Sequence, residues 1–124
     1  MPNEQVTIEF LDAFAAAWNR HDIDSLMSFM TDDCVFESST GPDACGTSFI
    51  GRDAVRNGFA LVWQTFPDAR WANARHFVID DRGLSEWTFS GTRDGQRVEV
   101  VGCDIFNFRD GKIAKKNSFR KQRT

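Results

Sequence analysis

The stretch RVEVVGCDIFNFRDGKIAKKNSFRK, residues 97–121, reads as two strands joined at Arg109-Asp110-Gly111-Lys112. Asp-Gly between two β-rich runs is a strong hairpin signal, because a tight two-residue turn needs positive φ at both positions. Alternation places Val98, Val100, Gly102, Asp104, Phe106 and Phe108 on one face and Arg97, Glu99, Val101, Cys103, Ile105 and Asn107 on the other. Asp104 therefore interrupts an apolar row. A carboxyl group there has to be hydrogen-bonded, paired or held protonated, since a bare buried charge is too costly. Asp104 is the first candidate for chemistry, and a structural Asp bonded to backbone or to an Arg is the competing reading. On the second strand Lys116, Ser118 and Arg120 share one face and Lys115, Asn117, Phe119 and Lys121 the other. If Lys116 or Arg120 reaches Asp104, the carboxylate is ionised and suits a general base or a salt bridge. Without such a partner it is a protonated donor.

Upstream of this hairpin the texture is also β. Trp71 to Asp80, a turn at Asp81-Arg82-Gly83, Leu84 to Thr92 and a turn at Asp94-Gly95 give an antiparallel meander. The first half of the chain reads as helices. From Asn3, Val6, Phe10, Phe14, Ala17 and Trp18 recur at three- and four-residue spacing, an amphipathic helix ending over Asn19 to Asp22. Asp22 or Asp24 can cap a second short helix with Ile23, Leu26, Met27 and Met30, followed by a turn at Thr31-Asp32-Asp33 and a short strand from Cys34 to Glu37. Ser38 to Ser48 (SSTGPDACGTS) is a loop by composition, either a border of a binding site or a plain connection. A third helix carries Val55, Phe59, Val62, Trp63 and Phe66, with Asp53 as its candidate cap, and Pro67-Asp68 stops it. Helices first and strands afterwards is the α+β pattern, with helices covering one face of a curved sheet, and residues 1–124 read as one domain.

Composition narrows the function. The chain has 124 residues, net charge −3, twelve Phe, four Trp and no Tyr, so no mechanism that needs a phenol donor applies. No apolar run reaches the roughly 20 residues of a membrane span, and Met1 to Val6 lacks a signal-peptide pattern; a cytoplasmic location is expected. Cys34, Cys45 and Cys103 form no CxxC pair, and with only His21 and His76 beside them no zinc site of ordinary spacing is expected. Gly111 to Thr124 carries six cations and no acid. We read that run as a solvated terminal strand rather than a nucleic-acid surface.

The order of elements, and specifically WNRHDIDSLMSFMTDDCVFES, GRDAVRNGF, LSEWTFSGT and GCDIFNFRDGKI, resembles the nuclear transport factor 2-like superfamily in its SnoaL-like and ketosteroid-isomerase-like branches. The resemblance implies a cystatin-like α+β roll. In it a strongly curved antiparallel sheet forms a cone around three helices, with an apolar pocket at the open end and homodimers packed through the outer sheet face. Asp104 matches the position where ketosteroid isomerases place an oxyanion-donating Asp. Their general-base Asp falls on Ser38 and their phenolic partner on Phe14, so steroid isomerisation by that mechanism is disfavoured. Since the fold hosts many activities, the residues carry the expectation. It is a pocket for a small, mostly apolar carbonyl or hydroxyl compound, promoting isomerisation, dehydration or cyclisation by proton transfer without metal or organic cofactor. Asp104 would be acid, base or oxyanion donor. Ser38, His76, Asn117, Ser118 and Arg120 would assist, and Phe14, Trp18, Trp63, Trp87 and Phe106 would form walls. A second pocket carboxylate would have to come from Glu37 or Glu86, both of which alternation turns outward. The alternative is a non-catalytic dimeric ligand-binding or protein-interaction module.

Overall fold

The computed structural model describes residues 5–124, so Asn3 and Glu4, where the first helix is expected to begin, lie outside the described residues. Helix α1 spans Ile8–Asn19, and Thr7 caps it by accepting from the Phe10 N–H at 3.1 Å. Val6 thus precedes the helix rather than riding on it. It is buried in the same cluster as Leu11, the arrangement of a hydrophobic staple. Asp22, not Asp24, caps α2 (Ile23–Ser28), and its carboxylate accepts from both the backbone and the hydroxyl of Ser25. Helix α3 (Arg52–Thr65) starts at Gly51, which offers no side-chain cap, so Asp53 lies inside the first turn instead of capping it.

Strand β1 runs Met30–Glu37, absorbing the expected turn at Thr31-Asp32-Asp33. Met30 joins the sheet rather than α2. The end of the Ser38–Ser48 loop opens a short strand, β2 (Ser48–Ile50), which pairs with β1. The remaining strands are β3 (Arg70–Ile79), β4 (Arg82–Arg93), β5 (Gln96–Arg109) and β6 (Lys112–Arg120). The Asp94-Gly95 and Asp110-Gly111 turns have positive φ at both residues, as their sequence demands. The β3–β4 turn falls one residue early, at Asp80-Asp81, with Asp80 in the left-handed region.

The sheet order is β2-β1-β6-β5-β4-β3. Its last four strands are the expected meander, but β1 lies parallel to β6, so the curved, unclosed sheet is mixed rather than wholly antiparallel. That parallel seam is what closes the chain's first half against its last strand. The architecture is α+β, with α1 packed on β3 and α3 on β1. Leu11, Phe14, Trp18, Leu26, Met30, Phe36, Phe59, Phe106 and Ile113 make the main core, and Phe66, Ala69, Trp87, Phe89 and Val100 a second cluster beside it. Each large side chain so buried contributes about 1.5–3 kcal/mol.

Candidate functional site

The predicted alternation of β5 holds: Val100, Asp104, Phe106 and Phe108 are buried. On β6 alternation alone fails. Ile113 is wholly buried, which on a regular strand would turn Lys115 and Asn117 inward with it. A register shift at Asn107/Phe108, opposite Ile113 and Lys115, leaves Ala114 as an extra residue and inverts the parity beyond it. Lys116 and Ser118 are buried as a result, and Arg120 is half-buried. Part of the supposedly solvated basic run is therefore the inner wall of the protein.

Ser118 lies opposite Asp104, and Lys116 lies between Phe106 of β5 and Phe36 of β1. The Ser118 hydroxyl donates to Asp104 Oδ1 at 2.5 Å and accepts from Lys116 Nζ at 2.7 Å. Lys116 Nζ is itself 3.1 Å from Asp104 Oδ1, and the Trp87 indole N–H donates to Oδ2 at 3.0 Å. Three donors thus converge on the Asp104 carboxylate, which is only 6% exposed. This is the cation-paired arrangement, not that of a lone protonated donor. The Lys116 ammonium group also faces the rings of Trp18, Phe36 and Phe59, 4.7–5.7 Å from their centroids. Burial pushes the Lys116 pKa down; Asp104 opposes that shift and the Arg120 charge adds to it.

These groups meet a cavity of about 910 Å³. Lys116, Ser118 and Arg120 line it, while Asp104 stands behind Ser118 and Trp87. Trp18 and Trp87 line it, together with Phe36, Phe49, Phe66 and Trp71. Ser38 lines the mouth, but its hydroxyl is engaged in the loop, donating to the Thr40 carbonyl and accepting from the Thr47 N–H. Ser39, Thr40 and Thr47 line the cavity too, so the loop borders the site.

The other expected residues are not brought here. Phe14 and Phe106 are core side chains packed on each other edge to face, and Trp63 packs between Trp18 and His21. Asn117 points to the opposite face of β6, away from Ser118. Glu37 pairs with Lys115, and Glu86 borders a shallow outer depression with Val101 and Phe119, so neither supplies a cavity acid. His76 turns inward towards α1. Its Nδ1 meets the Ser85 hydroxyl at 2.7 Å, and its Nε2 lies 3.0 Å from Asp12 without hydrogen-bond alignment. The order Asp-His-Ser imitates a hydrolytic triad, but Ser85 is 4% exposed and borders neither the cavity nor the outer depression. Its place on adjacent strands makes it a tie between α1, β3 and β4. Among the described residues no three His, Cys, Asp or Glu side chains converge as metal ligands.

Sequence reasoning missed the ring cage around Lys116. Phe36 and Phe59 were legible as inward-facing, but only the bulge shows that a lysine stands between them.

A family model described as a SnoaL-like domain matches residues 11–116. No curated protein matches the chain. Solved structures share its shape. A protein from Pseudomonas putida KT2440, provisionally named a polyketide cyclase, superposes with a TM-score of 0.82 at 18% identity, covering 95% of this chain and 93% of that one. A Catenulispora acidiphila protein with a ketosteroid isomerase-like fold, in complex with trimethylamine, gives 0.78 at 18% identity over 92% and 86%. TerC, co-crystallised with polyporic acid, gives 0.76 at 21% identity over 92% and 90%. At these identities the likeness establishes the fold.

Proposed function

The chain belongs to the SnoaL-like domain family, and from that premise we propose that it binds a small carbonyl or hydroxyl compound and promotes isomerisation, dehydration or cyclisation by proton transfer, without a cofactor. The observation that carries this reading is the buried Asp104–Lys116–Ser118 set at the wall of the large cavity. An ammonium group has three N–H donors. Ser118 and Asp104 take two, leaving one for a substrate oxygen. An oxygen gaining negative charge during enolisation or ring closure would meet that donor in apolar surroundings, where such stabilisation is strong. Because burial lowers its pKa, Lys116 gives up its proton more readily than an exposed lysine does. In this reading Lys116 is the catalytic group. Asp104 is a positioning residue that orients the ammonium group and the Ser118 hydroxyl, while Trp18 and Trp87 confine the apolar body of the substrate. The named neighbours support a small organic ligand, since two of them hold one.

The test is deuterium incorporation α to the carbonyl in D2O, followed by proton NMR, for a panel of cyclic ketones and β-keto esters. At least one member should exchange roughly 100-fold faster than in buffer. Lys116→Met should abolish that gain while retaining binding. Saturable binding with no exchange across the panel would sink the enzymatic reading and favour a non-catalytic ligand-binding module. That second reading draws on one observation: Glu37 and Glu86 both face away from the cavity. The same proposal includes a homodimer packed through the outer sheet face.

A further inference from the structure

Resting on the reading of the cavity as the ligand site, its charge distribution narrows what that ligand is. The chain as a whole is acidic, at −3. Its cavity is the reverse: among the described residues Arg93, Arg97, Lys116, Arg120, Lys121 and Arg123 line it against a single lining acid, Glu99. Glu99 is engaged by Arg97 at 4.0 Å, and Lys116 by Asp104.

Of the lining cations without an ion pair among the described residues, Arg120 is the one that is half-buried. Its guanidinium carbon sits over Phe89, 3.8 Å from the ring centroid, with Phe66 at 5.8 Å. Among the described residues it has no ion pair, and its buried Nε has no hydrogen-bond partner. A buried donor left unmade is costly, more so on a charged group. Burial pushes the Arg120 pKa down; the Asp104 charge opposes that shift, and Arg93, 5.5 Å from the Phe66 centroid, adds to it. Two guanidinium groups therefore share one aromatic ring at the cavity wall, and among the described residues neither has a carboxylate within ion-pair distance; the Asp104 charge reaches Arg120 only from farther off. Asp104 is spoken for by Ser118, Trp87 and Lys116.

We propose that the ligand is an organic anion, a carboxylate on a flat apolar body, whose two oxygens take the Arg120 fork with Arg93 beside it. A planar guanidinium group held over a ring carries a fork of N–H groups that a carboxylate matches bidentately. The apolar body then lies among Trp18, Phe49, Trp71 and Val100, reaching towards Lys116.

Calorimetric titration with 2-naphthoate and its neutral isostere 2-naphthamide tests this. The wild-type protein should bind the carboxylate roughly tenfold or more tightly than the amide, the range of one charge-assisted contact. Arg120→Gln should remove that preference and leave amide binding in place. Arg93→Gln should weaken naphthoate several-fold without touching the amide, and serves if Arg120→Gln does not fold. Equal affinity of the wild type for both probes, or a preference that survives both substitutions, overturns the anion inference while the cavity stands as the ligand site. Saturable binding of neither probe overturns both.

Discussion

At the scale of single residues, the Asp104–Lys116 pair sets both the chemistry and a cost. Two ions withdrawn from water regain their hydration only through each other and their hydrogen bonds, so breaking the pair is worse than never having it. Asp104→Asn should destabilise the protein by about 3 kcal/mol in urea unfolding, and adding Lys116→Met should restore much of that loss. The pH dependence follows from burial of Lys116, which lowers its pKa from the ordinary 10.5. Between the lowered value and 10.5 the unfolded chain binds more protons than the folded one, so stability rises with pH across that window. Lys116→Met should flatten this rise; an identical slope in the variant would contradict the burial argument. Asp104 was legible from alternation alone, because an acid in an apolar row is conspicuous. Its partner was not, since two cations of β6 were candidates and nothing local chooses between them.

Elements place those residues through two departures from regularity. One is the Ala114 bulge, which turns Lys116, Ser118 and Arg120 inward. The other is Gly102, where a Cβ would fall 2.6 Å from Cζ3 of Trp87 and 2.3 Å from the Phe119 carbonyl oxygen. Glycine there lets the indole lie across β5 and donate to Asp104. Gly102→Ala should therefore cost about 1–3 kcal/mol by overpacking. It should also shift the Trp87 fluorescence as the ring leaves Asp104; an unchanged spectrum and stability would show that the strand accommodates the methyl group. The helices and the two Asp-Gly hairpins were readable in advance, since caps, periodicity and turn residues act over a few positions. The short β2 and the start of β1 were not, because their edges depend on pairing with distant strands.

For the whole molecule, the sheet has two faces and the helices cover one. On the other, Val101, Phe119 and Phe77 are exposed at 55%, 46% and 43%. Large apolar side chains on an uncovered sheet face favour an interface, and this face is where the proposed dimer would pack. Sedimentation velocity should show a dimer, and Val101→Glu with Phe119→Asp should return it to monomer; a monomeric wild type removes the dimer. The sequence by itself determined the α+β class, the three helices, the hairpins, the family resemblance and the oddity of Asp104, for these rest on periodicity and turn chemistry within short windows. Only the tertiary structure decided the parallel β1–β6 seam, the inward turn of Lys116 and Arg120, and the exclusion of His76 and Asn117 from the cavity. Those outcomes hinge on strand register, and a one-residue slip, invisible in local pattern, moves every later side chain to the other face.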